Sequence, residues 1–411
     1  MDKGQLTAER PVLGVSRNVF FLGWVSLLTD VSSEMVLTVL PLFLTNVLGV
    51  KTSVVGLIEG VADSTSTLSR LPSGWLSDRL RRRKTLTLVG YGLSAVTKPF
   101  FFLATSWGVV LGLRFSDRVG KGVRTAPRDA LIADSSAPEQ RGRSFGFHRA
   151  LDTAGAVLGV LGAALVVYLM QRGSLDLQRD TFRTIALVAA VPAFLAVAVL
   201  WRLVREVKPE VSTDGKVTAN PRQPYPLRFK LLLGVMLLFT LGNSSDAFLI
   251  LRAQNVGLSV PHILLLLAGF NLLYSLAAMP LGSLSDRVGR ARVILAGWTI
   301  YALVYLGFAL AGAPWQLALL FVGYGLYYAA AEGTVRALVA DLIPSEQRGT
   351  AFGLSNTAMG IMAFPASLLA GVLWQAYGPR APFLLGAGLA AAAAILLAAV
   401  LRPQTKAAQP V

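Results

Sequence analysis

Long apolar runs joined by short connections set the rhythm of the chain. Thr184–Trp201 and Pro382–Leu401 each run about 20 residues without a charge, roughly the 30 Å of helix that hydrocarbon requires. Val293–Ala331 also lacks Lys, Arg, Asp and Glu, and Gly312-Ala313-Pro314 interrupts it, so it reads as two spans and a tight turn. The same logic predicts twelve helices, approximately 19–47, 53–77, 85–105, 107–134, 144–170, 182–201, 229–252, 261–284, 292–311, 315–341, 350–376 and 380–401. The expected organisation is therefore an N-terminal segment 1–18, a six-helix bundle 19–201, a polar linker 202–228, a second six-helix bundle 229–401 and a tail 402–411.

Composition supports a membrane protein. The chain is 54% hydrophobic and 15% charged, with mean hydropathy +0.60, whereas a soluble chain carries about a quarter charged residues. That balance excludes a disordered or nucleic-acid-binding protein. The net charge of +16 is not spread evenly. Alternate connections hold Arg79, Arg81, Arg82, Arg83 and Lys84, then Arg141 and Arg143, then Arg202, Arg205, Lys208, Lys216 and Arg222, then Arg287, Arg290 and Arg292. Positive connections remain on the cytoplasmic side, so both termini are expected there, in a bacterial inner membrane, with the basic loops touching anionic lipid. The first 18 residues are too polar for a signal-peptide core, so helix 1 should stay uncleaved. With no cysteine and two histidines, disulfides, thiolate chemistry and a metal site are not expected. No phosphate-binding Gly-x-x-x-x-Gly-Lys-Ser/Thr loop is present, so no cofactor or nucleotide is expected.

The two halves repeat. Gly74-Trp75-Leu76-Ser77-Asp78-Arg79 recurs as Gly282-Ser283-Leu284-Ser285-Asp286-Arg287 at an offset of 208. Ala130-Leu131-Ile132-Ala133-Asp134 recurs as Ala337-Leu338-Val339-Ala340-Asp341, and Glu139-Gln140-Arg141-Gly142 as Glu346-Gln347-Arg348-Gly349, both at 207. Two parallel halves imply a pseudo-two-fold axis along the membrane normal and a site between them. At these residues the chain resembles the major facilitator superfamily over nearly its whole length. Gly282, Leu284, Asp286, Arg287, Gly289 and Arg290 match that family's Gly-x-Leu-x-Asp-Arg-x-Gly-Arg loop. The first copy keeps Gly74, Leu76, Asp78, Arg79 and Arg82, with Arg81 in place of the second glycine. The resemblance implies an all-α membrane protein of two pseudo-symmetric six-helix bundles, alternating access, and a cytoplasmic latch built from these loop residues. It also implies a unit that works as a monomer.

Ionisable groups inside spans are costly unless they face a cavity or a partner. Counting 1.5 Å per residue from Trp107, Arg114 lies about 10 Å deep, Arg118 about 16 Å and Lys121 about 21 Å. They form one cationic stripe, and Gly120, Gly122 and Pro127 are expected to loosen the helix beside it. Asp30 and Glu34 on helix 1, Glu59 and Asp63 on helix 2, and Asp152 on helix 5 are expected to confront the stripe and to exchange protons, with Asp30 and Glu34 first and Asp152 next. The second half offers Asp246 and Arg252 on helix 7 and Glu332 and Arg336 on helix 10. Helices 3, 6, 9 and 12 carry almost no charge apart from Lys98, the pattern expected of lipid-facing helices. The candidate substrate ligands are thus Arg114, Arg118, Lys121, Asp246, Glu332 and Arg336.

Gly155-x-x-x-Gly159 on helix 5 keeps the small residues of the drug-exporter motif without its proline, and such spacing also serves close helix packing. Three functions fit this sequence. One is proton-coupled export of a small organic solute. The second is transport of a carboxylate- or phosphate-bearing anion held by the helix 4 arginines. The third is a membrane sensor or scaffold that binds without moving its ligand. None is an enzyme.

Overall fold

A computed structural model describes residues 13–80, 82–136, 140–171, 175–207, 225–343 and 348–400. The first residues of the N-terminal segment, most of the linker and the tail from 401 lie outside the described residues. The chain forms twelve helical passes and no strand among the described residues. They are α1 (Arg17–Val47), α2 (Thr52–Leu68 continued by Arg70–Leu80), α3 (Arg83–Leu103), α4 (Trp107–Asp134), α5 (Arg141–Gln171) and α6 (Arg179–Leu203) in the first half. The second half holds α7 (Leu227–Gly242 and Ala247–Asn255), α8 (Val260–Val288), α9 (Arg290–Leu310), α10 (Pro314–Leu342), α11 (Arg348–Tyr377) and α12 (Ala381–Val400). Among the described residues nine of these are long and apolar enough to cross a membrane. The three that fall short, α2, α4 and α10, bear Glu59, Asp63, Arg114, Arg118, Lys121, Glu332 and Arg336. Their hydropathy is lowered by the groups that make the site.

Each half packs through small residues. A Cβ on Gly155 or Gly159 of α5 would sit 2.4 or 2.6 Å from the carbonyl of Leu27 or Val31 on α1, so this glycine pair is a packing device. Gly90 of α3 and Gly120 of α4 meet in the same way, and Gly122 abuts Ser69 of α2. The expectation that these glycines loosen α4 is therefore corrected. The helix is continuous from Trp107 to Asp134, and its glycines admit neighbouring backbones.

The repeat appears in three dimensions at one clamp. Arg83 at the start of α3 donates to the Ala130 carbonyl at 2.9 Å and pairs with Asp134. In the other half Arg290 at the start of α9 donates to the Ala337 carbonyl at 2.5 Å and pairs with Asp341 at 2.6 Å. The two clamps lie 207 residues apart at every position. Arg83, not Arg82, thus occupies the place of Arg290, because the first copy of the loop is one residue longer. Gly289 adopts φ +97° where the second copy turns from α8 into α9, a conformation that glycine reaches without strain.

The halves meet along two seams. Along α2 and α11, Thr52 Oγ1 donates to the Gly371 carbonyl at 3.3 Å and Ser64 Oγ to the Gly360 carbonyl at 2.7 Å. Along α5 and α8, Arg149 Nη2 donates to the Tyr274 hydroxyl at 3.1 Å. Both seams stop short of the side on which the described chain begins and ends, here termed the terminal side, where Leu76, Leu80 and Leu354 are exposed. On the opposite, far side, Asn46 of α1 and Gln254 of α7 exchange amide hydrogen bonds of 3.2 and 2.8 Å. Gln254 reaches the Leu175 carbonyl at 2.9 Å as well. The space between the halves is closed toward the far side.

Candidate functional site in the interbundle cavity

A cavity of about 660 Å³ lies between the halves, lined by α1, α2, α4, α7, α8, α10 and α11. Helices α3, α6, α9 and α12 contribute no lining residue, as their sparse charge suggested. Helix α5 contributes none either. The wall from the first half is ionic, with Glu34, Glu59 and Asp63 against Arg70, Arg114, Arg118 and Lys121. The wall from the second half is mainly uncharged and polar, with Asn243, Ser244, Ser245, Asn271, Tyr328 and Asn356 beside the carboxylates of Asp246 and Glu332.

Two anchors on α3 set the register of α4. Lys98 donates to Asp117 at 3.0 Å, and both side chains are buried. Arg124 donates to Ser94 Oγ at 2.8 Å and lies 4.4 Å from the centre of the Tyr91 ring. With α4 held from behind, its stripe faces the cavity. Arg114 Nη2 donates to Glu59 Oε2 at 2.7 Å, while its Nε and Nη1 are buried without a partner among the described residues. Arg118 and Lys121 make no side-chain hydrogen bond or ion pair with any described residue, and Arg118 Nε is buried. A buried guanidinium nitrogen without an acceptor is costly, which sets Arg114 and Arg118 apart from the paired cations Lys98 and Arg124 behind them.

The second wall depends on a break. Helix α7, expected as one continuous run, stops at Gly242 and resumes at Ala247. The Tyr301 hydroxyl donates to the Gly242 carbonyl at 3.1 Å, and the Ser245 amide to Ser367 Oγ at 3.2 Å. Irregular backbone at membrane depth is tolerated where it lines a cavity. Asp246 sits at the break and accepts from the Tyr324 hydroxyl at 2.6 Å through Oδ1.

Asp30 and Asp152, placed by the sequence opposite the α4 stripe, are not on the cavity wall. Asp152 accepts from Ser26 Oγ of α1 at 2.7 Å and from Arg149 at 3.2 Å, and Asp30 lies one turn beyond Ser26 on α1. Arg149 reaches Tyr274, the Tyr274 hydroxyl donates to Glu332, and Arg336 pairs with Glu332 at 2.9 Å. A polar chain therefore runs from α1 through α5 to α8 and α10 beside the cavity. Arg252 is also misplaced by the sequence reading. It is spent on the carbonyls of Phe308 and Ala311 at 2.8 and 2.7 Å, tying α7 to the end of α9. In the latch loops the Asp78 side chain lies outside the described residues. Arg79 lies 5.2 Å from the Trp75 ring, Asp286 pairs with Arg290 at 3.6 Å, and Gly74, Gly282 and Arg287 lie on the same terminal-side segments.

Sequence reasoning missed Arg70, Asn243, Asn271, Asn356 and Tyr274. The run Asn243-Ser244-Ser245-Asp246 inside an apolar helix and single asparagines in α8 and α11 were the available signals.

The Major Facilitator Superfamily model matches residues 22–251 and 231–411, and the chain belongs to that family of membrane transporters. An uncharacterised MFS-type transporter of Methanocaldococcus jannaschii is 38% identical over 392 residues, covering 93% of this chain and 94% of that protein. A multi-drug resistance efflux pump of Streptococcus pneumoniae is 25% identical over 331 residues, covering 77% and 79%. The fold is similar to the crystal structure of the nucleoside transporter NupG, with a TM-score of 0.78 at 14% identity over 93% of this chain and 100% of that one.

Proposed function

We propose that this chain is a secondary active transporter that carries a small organic anion through the interbundle cavity by alternating access, with protons bound alongside it. In this reading both termini and the basic loops face the cytoplasm of the cell's inner membrane, so the cavity is approached from inside. The chain works as a monomer, in contact with anionic lipid along its basic loops.

The observation that carries the reading is the pair of unsatisfied arginines, Arg114 and Arg118, on a wall that also holds Glu34, Asp63 and Lys121. Binding and coupling follow from one electrostatic balance. While Glu34 and Asp63 are ionised they offset Arg118 and Lys121, and a further anion gains little. Once they are protonated the cations are uncompensated, and an anionic head is drawn to the guanidinium fork. Proton and anion therefore favour each other's binding, and by linkage the two travel in the same direction. Asp30 and Asp152 lie one step removed, where proton exchange would act on Arg149 and the contact between halves.

A second reading is proton antiport that exports a neutral or cationic compound. It is favoured by the similarity to the pneumococcal efflux pump. The two readings differ in sign. Proteoliposomes filled with a pH-sensitive dye and given impermeant sulfonates and phosphate monoesters should acidify inside on anion addition. Glu34→Gln with Asp63→Asn should abolish that acidification. Alkalinisation on adding a cationic or neutral solute, with no response to any anion, selects antiport instead. Asp30→Asn in place of Asp63→Asn should slow the response rather than remove it.

A further inference from the structure

Beside the main cavity the second half contains a smaller chamber of about 280 Å³. The two spaces share Thr240, Asn243, Tyr328, Glu332, Asn356 and Met359 as a common rim. Past that rim the character changes. Phe239 and Trp298 are stacked with ring centres 4.4 Å apart, Tyr327 lies 5.8 Å from Phe239, and Met236, Val335 and Val339 complete the walls. The chamber is mostly apolar, while the cavity that feeds it is mostly polar. Within it the Ser355 hydroxyl is buried without a partner among the described residues.

We infer that this chamber is a ring subsite: the transported solute is an aromatic organic anion whose head is held by Arg114 and Arg118 and whose ring enters between Trp298, Tyr327 and Met359. This rests on the anion reading proposed above and adds the part of the solute that the reading leaves open.

Three physical arguments converge. Size is the first, since an apolar cavity of about 150 Å³ suffices to hold benzene, and 280 Å³ has room for a fused two-ring system. Surface chemistry is the second. A flat ring stacks on the faces and edges that Trp298 and Tyr327 present, and the thioethers of Met236 and Met359 adapt to its outline. Ser355 adds a hydrogen bond for a substituent on that ring. Mechanics is the third argument. The head group lies on α4 in the first half and the chamber lies between α7, α9, α10 and α11 in the second. A solute with both parts touches both bundles at once, and occupancy is thereby coupled to their closure.

The test uses four probes on the full-length protein in nanodiscs. Naphthalene-2-sulfonate has ring and charge, hexane-1-sulfonate the charge alone, 2-naphthol the ring alone, and a naphthylmethyl trimethylammonium salt the ring with the opposite charge. Naphthalene-2-sulfonate should bind at least about tenfold more tightly than the other three, because burial of ring area separates it from hexane-1-sulfonate and the charge separates it from the other two. Filling the chamber with Val335→Phe, or with the milder Ala331→Met should either alter folding, should lower its affinity to that of hexane-1-sulfonate. Arg118→Gln should lower the affinity of both sulfonates. Equal affinity for the two sulfonates in the unaltered protein, or an unchanged preference in both filled variants, overturns the ring subsite and leaves anion transport standing. Preference for the cationic naphthalene overturns the anion reading itself. Failure of every probe to bind overturns the subsite, and the dye assay on other anions then decides the transport reading separately.

Discussion

At the scale of the residue, Lys98 is the informative case. It lies on α3, a helix that contributes nothing to the cavity, yet its side chain is fully buried against Asp117. At the positions 207 residues later stand Tyr305 and Tyr324, whose ring centres are 6.3 Å apart. The first half uses an ion pair where the second uses two hydroxyl-bearing rings. The same exchange recurs at Lys121, whose counterpart is Tyr328. The cationic wall is thus a property of one half, and the pair behind it fixes how α4 presents Arg114 and Arg118. Removing one member of a sealed pair costs about 3–5 kcal/mol, because the other is left charged and unsolvated. Asp117→Asn strands an ammonium near Arg114 and Arg124 and should lower the melting temperature of the detergent-solubilised protein sharply. Adding Lys98→Met should recover most of that loss. A double variant no more stable than Asp117→Asn alone would show that the pair is not what stabilises this corner.

At the scale of the element, α2 and α11 carry the closest contact between the halves. A Cβ on Gly56 would lie 2.2 Å from the Ser367 carbonyl, and one on Gly360 would lie 2.4 Å from the Thr67 side chain. Nothing there can yield without the helices separating, since the obstacle at Gly56 is backbone. Gly56→Leu should therefore prise the far-side end of this seam open. The chain has no cysteine, so Ile250→Cys, a buried cavity position, can report it. An impermeant maleimide applied from the far side should label that cysteine several-fold faster in the Gly56→Leu background. An unchanged rate would mean that the seam adjusts by sliding. Elements such as these also show what the sequence disclosed. Span positions and the 207-residue repeat were legible because hydrocarbon thickness and duplicated packing both leave periodic marks. The ionic wall was legible because charge inside a membrane is conspicuous. The break in α7 was not, because Gly242 and the Asn, Ser and Asp that follow it occur inside membrane helices as well as at their ends, and no proline marks the stop. Helix depth gives a position for Asp152 along α5, but facing depends on which neighbour the glycines of α5 admit, and that neighbour is α1. The one-residue offset between Arg82 and Arg83 was hidden because both are arginines.

At the scale of the whole molecule, the structure is closed toward the far side, and under the proposed alternating-access cycle it is one of two states. The α2–α11 seam runs from Thr52 and Gly371 to Ser64 and Gly360 alongside the cavity. The far-side closure proper is the amide exchange between Asn46 and Gln254, reinforced by the Leu175 carbonyl, by Asp176 Oδ1 at 3.2 Å from Gln254 Nε2, and by the Leu177 amide at 3.1 Å from Asn46 Oδ1. The four bonds to Gln254 join the first half to the second through one side chain. A net loss of even one or two kcal/mol on removing them favours the opposite state by roughly a factor of 5–30. Spin labels at Ser106→Cys and Gly312→Cys, exposed positions just before α4 and α10, sit on opposite halves of the far side. Gln254→Ala should move their distance distribution toward a longer, far-side-open population. The same substitution should raise the apparent affinity for an anion presented from that side and lower it from the other, because it biases one equilibrium on which both depend. If Gln254→Ala leaves the distances unchanged while Gly56→Leu lengthens them, closure resides in the α2–α11 seam, and the amide exchange is a contact that forms after the halves have already met.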